Sequence, residues 1–182
     1  GCTWCLCNEK MKKYHDEEWG RLVTDDRLLF EFLTLESAQA GLSWITILRK
    51  RERYRKVFYD FDVNKVAQMT EQDVERLMQD EGIVRNRLKI KSAISNAKLF
   101  IAIQKEFGSF YNYTLSFFPE QKPISYQPKT LKDIQASTPE SDAMSKDMKK
   151  RGFKFLGSTI CYAYLQATGF VNDHLVNCIC RK

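Results

Sequence analysis

Apolar residues recur along this chain at intervals of three and four, the helical period, and no stretch of useful length alternates as a strand would. Leu28, Leu29, Phe32, Leu33 and Glu36 fall on one face of a helix predicted from about Asp26 to Ala40, with Thr24 or Asp25 as its cap. Gly41-Leu42 breaks the pattern. Ser43 then caps a second helix, Trp44 to about Val57, which should bury Trp44, Ile45, Ile47, Leu48 and Tyr54 and turn Arg49, Lys50, Arg51, Arg53, Arg55 and Lys56 to solvent. Asp62 opens a short helix, and Thr70-Glu71-Gln72-Asp73 reads as a capping box for another that ends at Gly82. A long helix from Asn86 to Phe107 carries Ile90, Ala93, Ile94, Ala97, Phe100 and Ile101 on its apolar face and stops at Gly108. Phe110–Phe118 suits a short core helix, whereas the prolines between Pro119 and Pro139 require a loop. Ser141 opens the next helix, closed by Lys149-Lys150-Arg151-Gly152. A hairpin over Gly152–Gly157 leads into a helix from Ser158 to Thr168, with Gly169 as its stop. Residues 1–20 read as irregular, and the tail from Phe170 to Lys182 carries His174, Cys178 and Cys180. The expectation is an all-α fold, one unit over residues 1–182, with two helical lobes possible.

With 182 residues, 43% of them hydrophobic, the chain can bury one sizeable core without a partner subunit, so a monomer is expected. No run reaches the eighteen or so apolar residues of a membrane span, and the start lacks a charged-then-apolar leader pattern. A cytoplasmic protein is the corresponding expectation. The net charge of +6 suits a polyanionic partner but does not establish one. Six cysteines in such a protein read as metal ligands or buried thiols rather than disulfides. Cys2, Cys5 and Cys7 lie at one end, Cys178 and Cys180 at the other, and Cys161 inside.

Glu36 is the first anomaly, a carboxylate on a core-facing helical stripe, where it must find a partner or take up a proton. A plain tie to a lysine or backbone amide at the core edge accounts for it equally well. The segments around it also hold Trp4, Tyr14, Trp19 and Trp44, and together with an acid these would box a flat cationic ring by stacking and cation-π attraction. Around the hairpin, two glycines, two phenylalanines and the basic Lys149, Lys150, Arg151 and Lys154 coincide, with free amides at the next helix N-terminus. Such an element grips phosphates without reading sequence, although an ordinary pair of helices with solvated lysines has the same outline. His174 and Cys178, four apart, share a helical face, and a tetrad can be completed from Cys2, Cys5, Cys7 and His15 to clasp the termini.

Four segments then resemble one known family in order and separation: Tyr14–Gly20, Leu35-Glu36 through Ala40–Thr46, Lys150–Gly157 and Asn172-Asp173-His174. They are similar to bacterial 3-methyladenine DNA glycosylase I, a helix-hairpin-helix DNA glycosylase. The resemblance implies removal of 3-methyladenine from alkylated double-stranded DNA after base flipping, the first step of base excision repair. It places base recognition and catalysis on Glu36, with Tyr14 and Trp44 as pocket walls and Trp19 nearby. Gly41 and Leu42 correspond to the loop that plugs the duplex, and Gly152, Lys154, Gly157, Ser158 and Thr159 to the DNA-gripping hairpin. One structural Zn2+ is implied on Cys2, His15, His174 and Cys178, with Cys5, Cys7 and Cys180 as bystanders. Two positions depart from the pattern. Related glycosylases carry a catalytic Asp where this chain has Asn172, leaving Asp173 as a helix cap or an acid, and Met11 stands where relatives can carry an aromatic. The competing reading is a zinc-stabilised helical module that binds nucleic acid without chemistry.

Overall fold

Helix α2 (Asp26–Gln39) is apolar nearly all round, with Leu29, Phe30, Phe32, Leu33, Leu35 and Ala38 buried, and a helix of that kind has to be enclosed by others. In the computed structural model, which describes residues 9–18, 21–125 and 137–172, it is the central element. Asp25 is its cap, accepting from the Arg27 amide at 3.2 Å. Around α2 pack α3 (Trp44–Val57), α6 (Arg87–Phe107), α7 (Phe110–Leu115) and α9 (Ser158–Ala167). The short α4 (Val63–Ala67) and α5 (Glu71–Leu77) lie against α6, and α8 (Pro139–Arg151) lies against α9. Aromatic rings fill the seams: Phe100 stacks on Phe110 at 4.2 Å, with Phe30 and Tyr164 edge-on to the pair.

Local signals in the sequence account for most of these boundaries. Ser43 caps α3, Asp62 caps α4, and the Thr70–Asp73 box opens α5. Asn86 starts α6, and Gly108, at φ +86°, ends it. α8 begins earlier than expected, because Thr138 is the true cap and Ser141 is the third residue of its capping box. Two further expectations are corrected. Residues Glu9–Glu17, read as irregular, form helix α1: Met11, Tyr14 and His15 keep helical spacing and are buried, but lysines and glutamates on either side hid the period. The fold is also not purely helical. Beyond the proline-rich stretch, β1 (Ile124–Ser125) pairs in parallel with β2 (Val171–Asn172), with Ile124 opposite Val171. Two residues are too few to display an alternating pattern.

The described stretches of the N- and C-terminal regions lie together. Val23 donates to the Thr168 carbonyl at 2.8 Å, and at Gly169, φ +81°, a Cβ would sit 2.4 Å from the backbone of Arg21 and Leu22. Among the described residues, no helix is long and apolar enough to cross a membrane.

Candidate functional site

Glu36 occupies the penultimate turn of α2 and is 4% exposed. Its Oε2 has no hydrogen-bond partner among the described residues. Burial alone pushes its pKa from the ordinary 4.5 to about 8, so the isolated protein carries this group protonated at neutral pH. Among the described residues, no lysine or amide is bonded to Oε2 as the core-edge explanation would have it. Tyr14, from α1, is 3% exposed, and its ring lies 5.5 Å from that of Trp44 at 49°. The phenol is pushed well above its usual range by burial first and then by the charge of Glu36. The Tyr14 hydroxyl and Trp44 Nε1 are likewise buried without partners. Tyr14 of α1 thus packs against the indole at the start of α3 and lies within electrostatic reach of the acid near the end of α2.

An ion network holds the supporting helices together. Arg51 of α3 was expected on the solvated face, but it is 6% exposed. Its Nε donates to Glu31 on α2 at 2.6 Å, and its Nη1 donates to both Glu18 oxygens just after α1, at 2.9 and 2.8 Å. Arg55 completes the pairing of Glu31, and the Arg51 guanidinium lies 5.0 Å above Phe32. A buried arginine able to reach two carboxylates exploits its planar fork of donors. Glu31 follows the helical stripe poorly, so single-sequence periodicity could not pair it with Arg51.

Between Glu36 and Trp44 the chain turns at Gly41, φ +82°, where a Cβ would meet nothing within 4 Å. Leu42 is 41% exposed beside it. The α8–α9 hairpin is anchored from within: Phe153 and Leu156 are buried, and Asn96 of α6 donates to the Lys154 carbonyl and accepts from the Lys154 amide, at 3.2 and 3.1 Å. Gly157 precedes α9 without any side-chain cap, so the amides of its first turn face outward, while Lys154, Gly157 and Thr159 are exposed. The surrounding charge differs from expectation in two respects. Arg151 is tied to Asp147 and Glu106 and covers Tyr113, and the Ser158 hydroxyl is engaged by Asp142. Lys149, Lys150 and Lys154 remain exposed.

Asn172 sits in β2, and Met11 is buried one turn before Tyr14. His15 is fully buried in the last turn of α1. Trp4, Trp19, Cys2, Cys5, Cys7, Asp173, His174, Cys178 and Cys180 lie outside the described residues. Among those described, no group of three or more His, Cys, Asp or Glu side chains is placed to hold a metal. Cys161 is a buried thiol pushed up to about 12 by burial.

The model of the methyladenine glycosylase family matches residues 4–182. DNA-3-methyladenine glycosylase 1 of Escherichia coli K12 is 50% identical over 179 residues, which cover 98% of this chain and 95% of that protein. A crystal structure of a 3-methyladenine DNA glycosylase I superimposes with a TM-score of 0.94 at 48% identity, covering 100% of this chain and 99% of the other. A single-residue variant of a 3-methyladenine DNA glycosylase I, solved in complex with 3-methyladenine, gives a TM-score of 0.95 at 38% identity, covering 100% and 97%.

Proposed function

We propose that this chain, which belongs to the methyladenine glycosylase family, hydrolyses the N-glycosidic bond of 3-methyladenine in alkylated double-stranded DNA, opening base excision repair. The observation that carries this reading is that three of the four buried side-chain polar atoms without partners among the described residues are the Tyr14 hydroxyl, Glu36 Oε2 and Trp44 Nε1, the fourth being Arg51 Nη2. Each such atom costs about 1–3 kcal/mol when unmatched, so three of them, on two ring-packed aromatics and on an acid within electrostatic reach of Tyr14, suit a ligand that supplies partners. A flipped purine does this. It stacks on the tilted rings of Tyr14 and Trp44, and its amino group donates to Glu36.

The chemistry asks little of the protein. Methylation at N3 places positive charge on the base and weakens its bond to the sugar. As that bond breaks, its electron pair passes to N9 and neutralises the base, while water adds to C1′ and loses a proton to solvent. A cation beside Glu36 favours the ionised carboxylate, which burial alone disfavours. Charge pairing is therefore available only to the damaged base, and neutral adenine finds a protonated acid. Asn172 carries no acid, so the general-base role of related glycosylases has no group at that position, and recognition by Glu36 carries the rate enhancement.

Gly41 and Leu42 fill the space left in the duplex, and the hairpin grips the phosphate backbone through the amides of Gly157, Ser158 and Thr159, with Gly152 ending α8 and Lys154 adding charge. In this helix-hairpin-helix role Ser158 offers its amide, since its hydroxyl is taken by Asp142. One structural Zn2+ is held by Cys2, His15, His174 and Cys178, a two-cysteine, two-histidine set that suits zinc. Burial of His15 and the meeting of residues 21–23 with Thr168 and Gly169 support such a clasp. When bound, the ion supplies a cross-link and no step of the hydrolysis. The protein acts as a cytoplasmic monomer.

The test is release of free 3-methyladenine from methylated duplex DNA by the purified protein, together with Glu36→Gln. Release by the wild type, slowed about a hundredfold by the substitution, is expected. Duplex binding with no release at all would favour the non-catalytic nucleic-acid module, and equal rates in both proteins would remove Glu36 from its role.

A further inference from the structure

We infer that Lys89 is a positioning residue that fixes the duplex-plugging turn at Gly41-Leu42 against the base-reading end of α2, an assignment that rests on the base-excision reading above. Lys89 lies in the first turn of α6, about fifty residues along the chain from that turn, and Nζ donates to the carbonyls of Ala38 at 2.9 Å and Ala40 at 2.7 Å. α2 has no basic residue in its own last turn, so this ammonium is the charge that meets the negative end of its dipole. The carbonyls there are shared out in alternation. Those of Ser37 and Gln39 accept from the amides of Ala40 and Leu42, and those of Ala38 and Ala40 from Lys89.

The turn after Ala40 has little else to hold it. Gly41 takes a left-handed conformation with open space on its Cβ side, and Leu42 is exposed. The bonded carbonyls flank the functional stretch, Ala38 two residues after Glu36 and Ala40 immediately before the plug. An apolar side chain pressed between base pairs must resist the restacking of the duplex, and a turn free to swing loses that resistance. Both carbonyls that Lys89 holds lie beyond Glu36 in the chain. The ammonium is partly withdrawn from water, and desolvation draws its pKa downward, as expected for a group directed at carbonyls rather than at solvent.

The experiment compares wild type, Lys89→Met and Lys89→Arg in two binding assays. One uses a duplex with a stable tetrahydrofuran abasic site, titrated at several salt concentrations, and the other uses free 3-methyladenine. Lys89→Met should bind the abasic duplex roughly tenfold more weakly, which corresponds to losing a charge-assisted pair of hydrogen bonds. Its affinity for the free base should stay within about twofold, since that pocket is left intact, and Lys89→Arg should recover most of the duplex affinity. The salt dependence of duplex binding should be the same in wild type and Lys89→Met. A slope lower by about one would mean that Lys89 touches a phosphate directly and would overturn the assignment. Unchanged duplex affinity, or an equal loss for both ligands, would overturn it as well. Lys89→Gln, which keeps one donor arm, gives the same comparison should Lys89→Met fail to fold. Absence of free-base binding by the wild type would instead strike the base-excision reading itself.

Discussion

A carboxyl kept neutral by burial is a burden only where the solution would ionise it, so the cost of Glu36 is written on the pH axis. With its pKa at about 8 in the folded chain and 4.5 as the ordinary value, the folded state holds the extra proton between those limits. Stability is then highest below about pH 4.5 and falls as pH rises toward 8, by up to about 1.4 kcal/mol per pH unit from this group. Glu36→Gln removes that slope. Melting temperatures of variant and wild type should converge near pH 4.5 and separate progressively toward pH 8, the variant being the more stable, with the gap constant above. Parallel melting curves across that range would show that the side chain is not held neutral. Arg51 makes a different case, a buried charge whose Nε and Nη1 are paired with two carboxylates while Nη2 has no partner among the described residues. Arg51→Met leaves the Glu31 carboxylate, 4% exposed, with Arg55 alone. A loss on the order of 3 kcal/mol in urea denaturation is expected, and Glu31→Gln combined with Arg51→Met should recover much of it. A near-neutral single variant would refute this. These two residues also mark what sequence reading could reach. Glu36 was legible because its helical position conflicts with its charge. Arg51 was not, because one basic residue among six on a helix resembles its neighbours until its distant partner is known.

At the scale of elements, capping chemistry was the most legible feature, since a cap is a contact across three residues and needs no tertiary partner. Ser43, Asp62, Thr70, Asn86 and Gly108 all serve where their types and spacing placed them. α1 was missed because its nine residues offer only Met11 and Tyr14 as hydrophobic positions, with a buried His15 beside them, too few to stand out against the charges around them. The hairpin was legible as a turn but not as a supported one. Its anchor, Asn96, lies in the middle of α6 on the face that also carries Ala93, Ala97 and Phe100, a polar residue in an apolar stripe like Glu36, and 4% exposed. Both of its bonds go to the backbone of Lys154, so the hairpin's tip is fixed whatever side chain stands there. Asn96→Ala should therefore speed hydrogen exchange at the Lys154 amide and weaken duplex binding several-fold, with free-base affinity unchanged. Exchange as slow as in the wild type would mean that Phe153 and Leu156 hold the turn by themselves.

For the molecule as a whole, the two ends of the described chain are joined by packing before any metal is considered. Gly169 lies against the Arg21-Leu22 backbone, Val23 bonds to Thr168, and β1 pairs with β2 beyond. A clasp through Cys2, His15, His174 and Cys178 would add little to the arrangement of the folded state, since the neighbourhood already exists. Its effect falls on the unfolded chain, where His15 and His174 enclose most of the sequence and a cross-link removes loop-closure entropy, about 4–5 kcal/mol for loops of a hundred residues or more. Metal analysis should find close to one zinc per chain, and Cys2→Ser and His174→Ala should each lose it. Both variants and the chelated wild type should melt lower, by roughly 2–4 °C for each kcal/mol. If the ion serves only to join the ends, base release measured well below the lowered melting temperature should persist. Activity that vanishes with the metal while the helical content and the free-base affinity remain would show that zinc does more than join the ends. Retention of zinc by both variants would show that other ligands hold it.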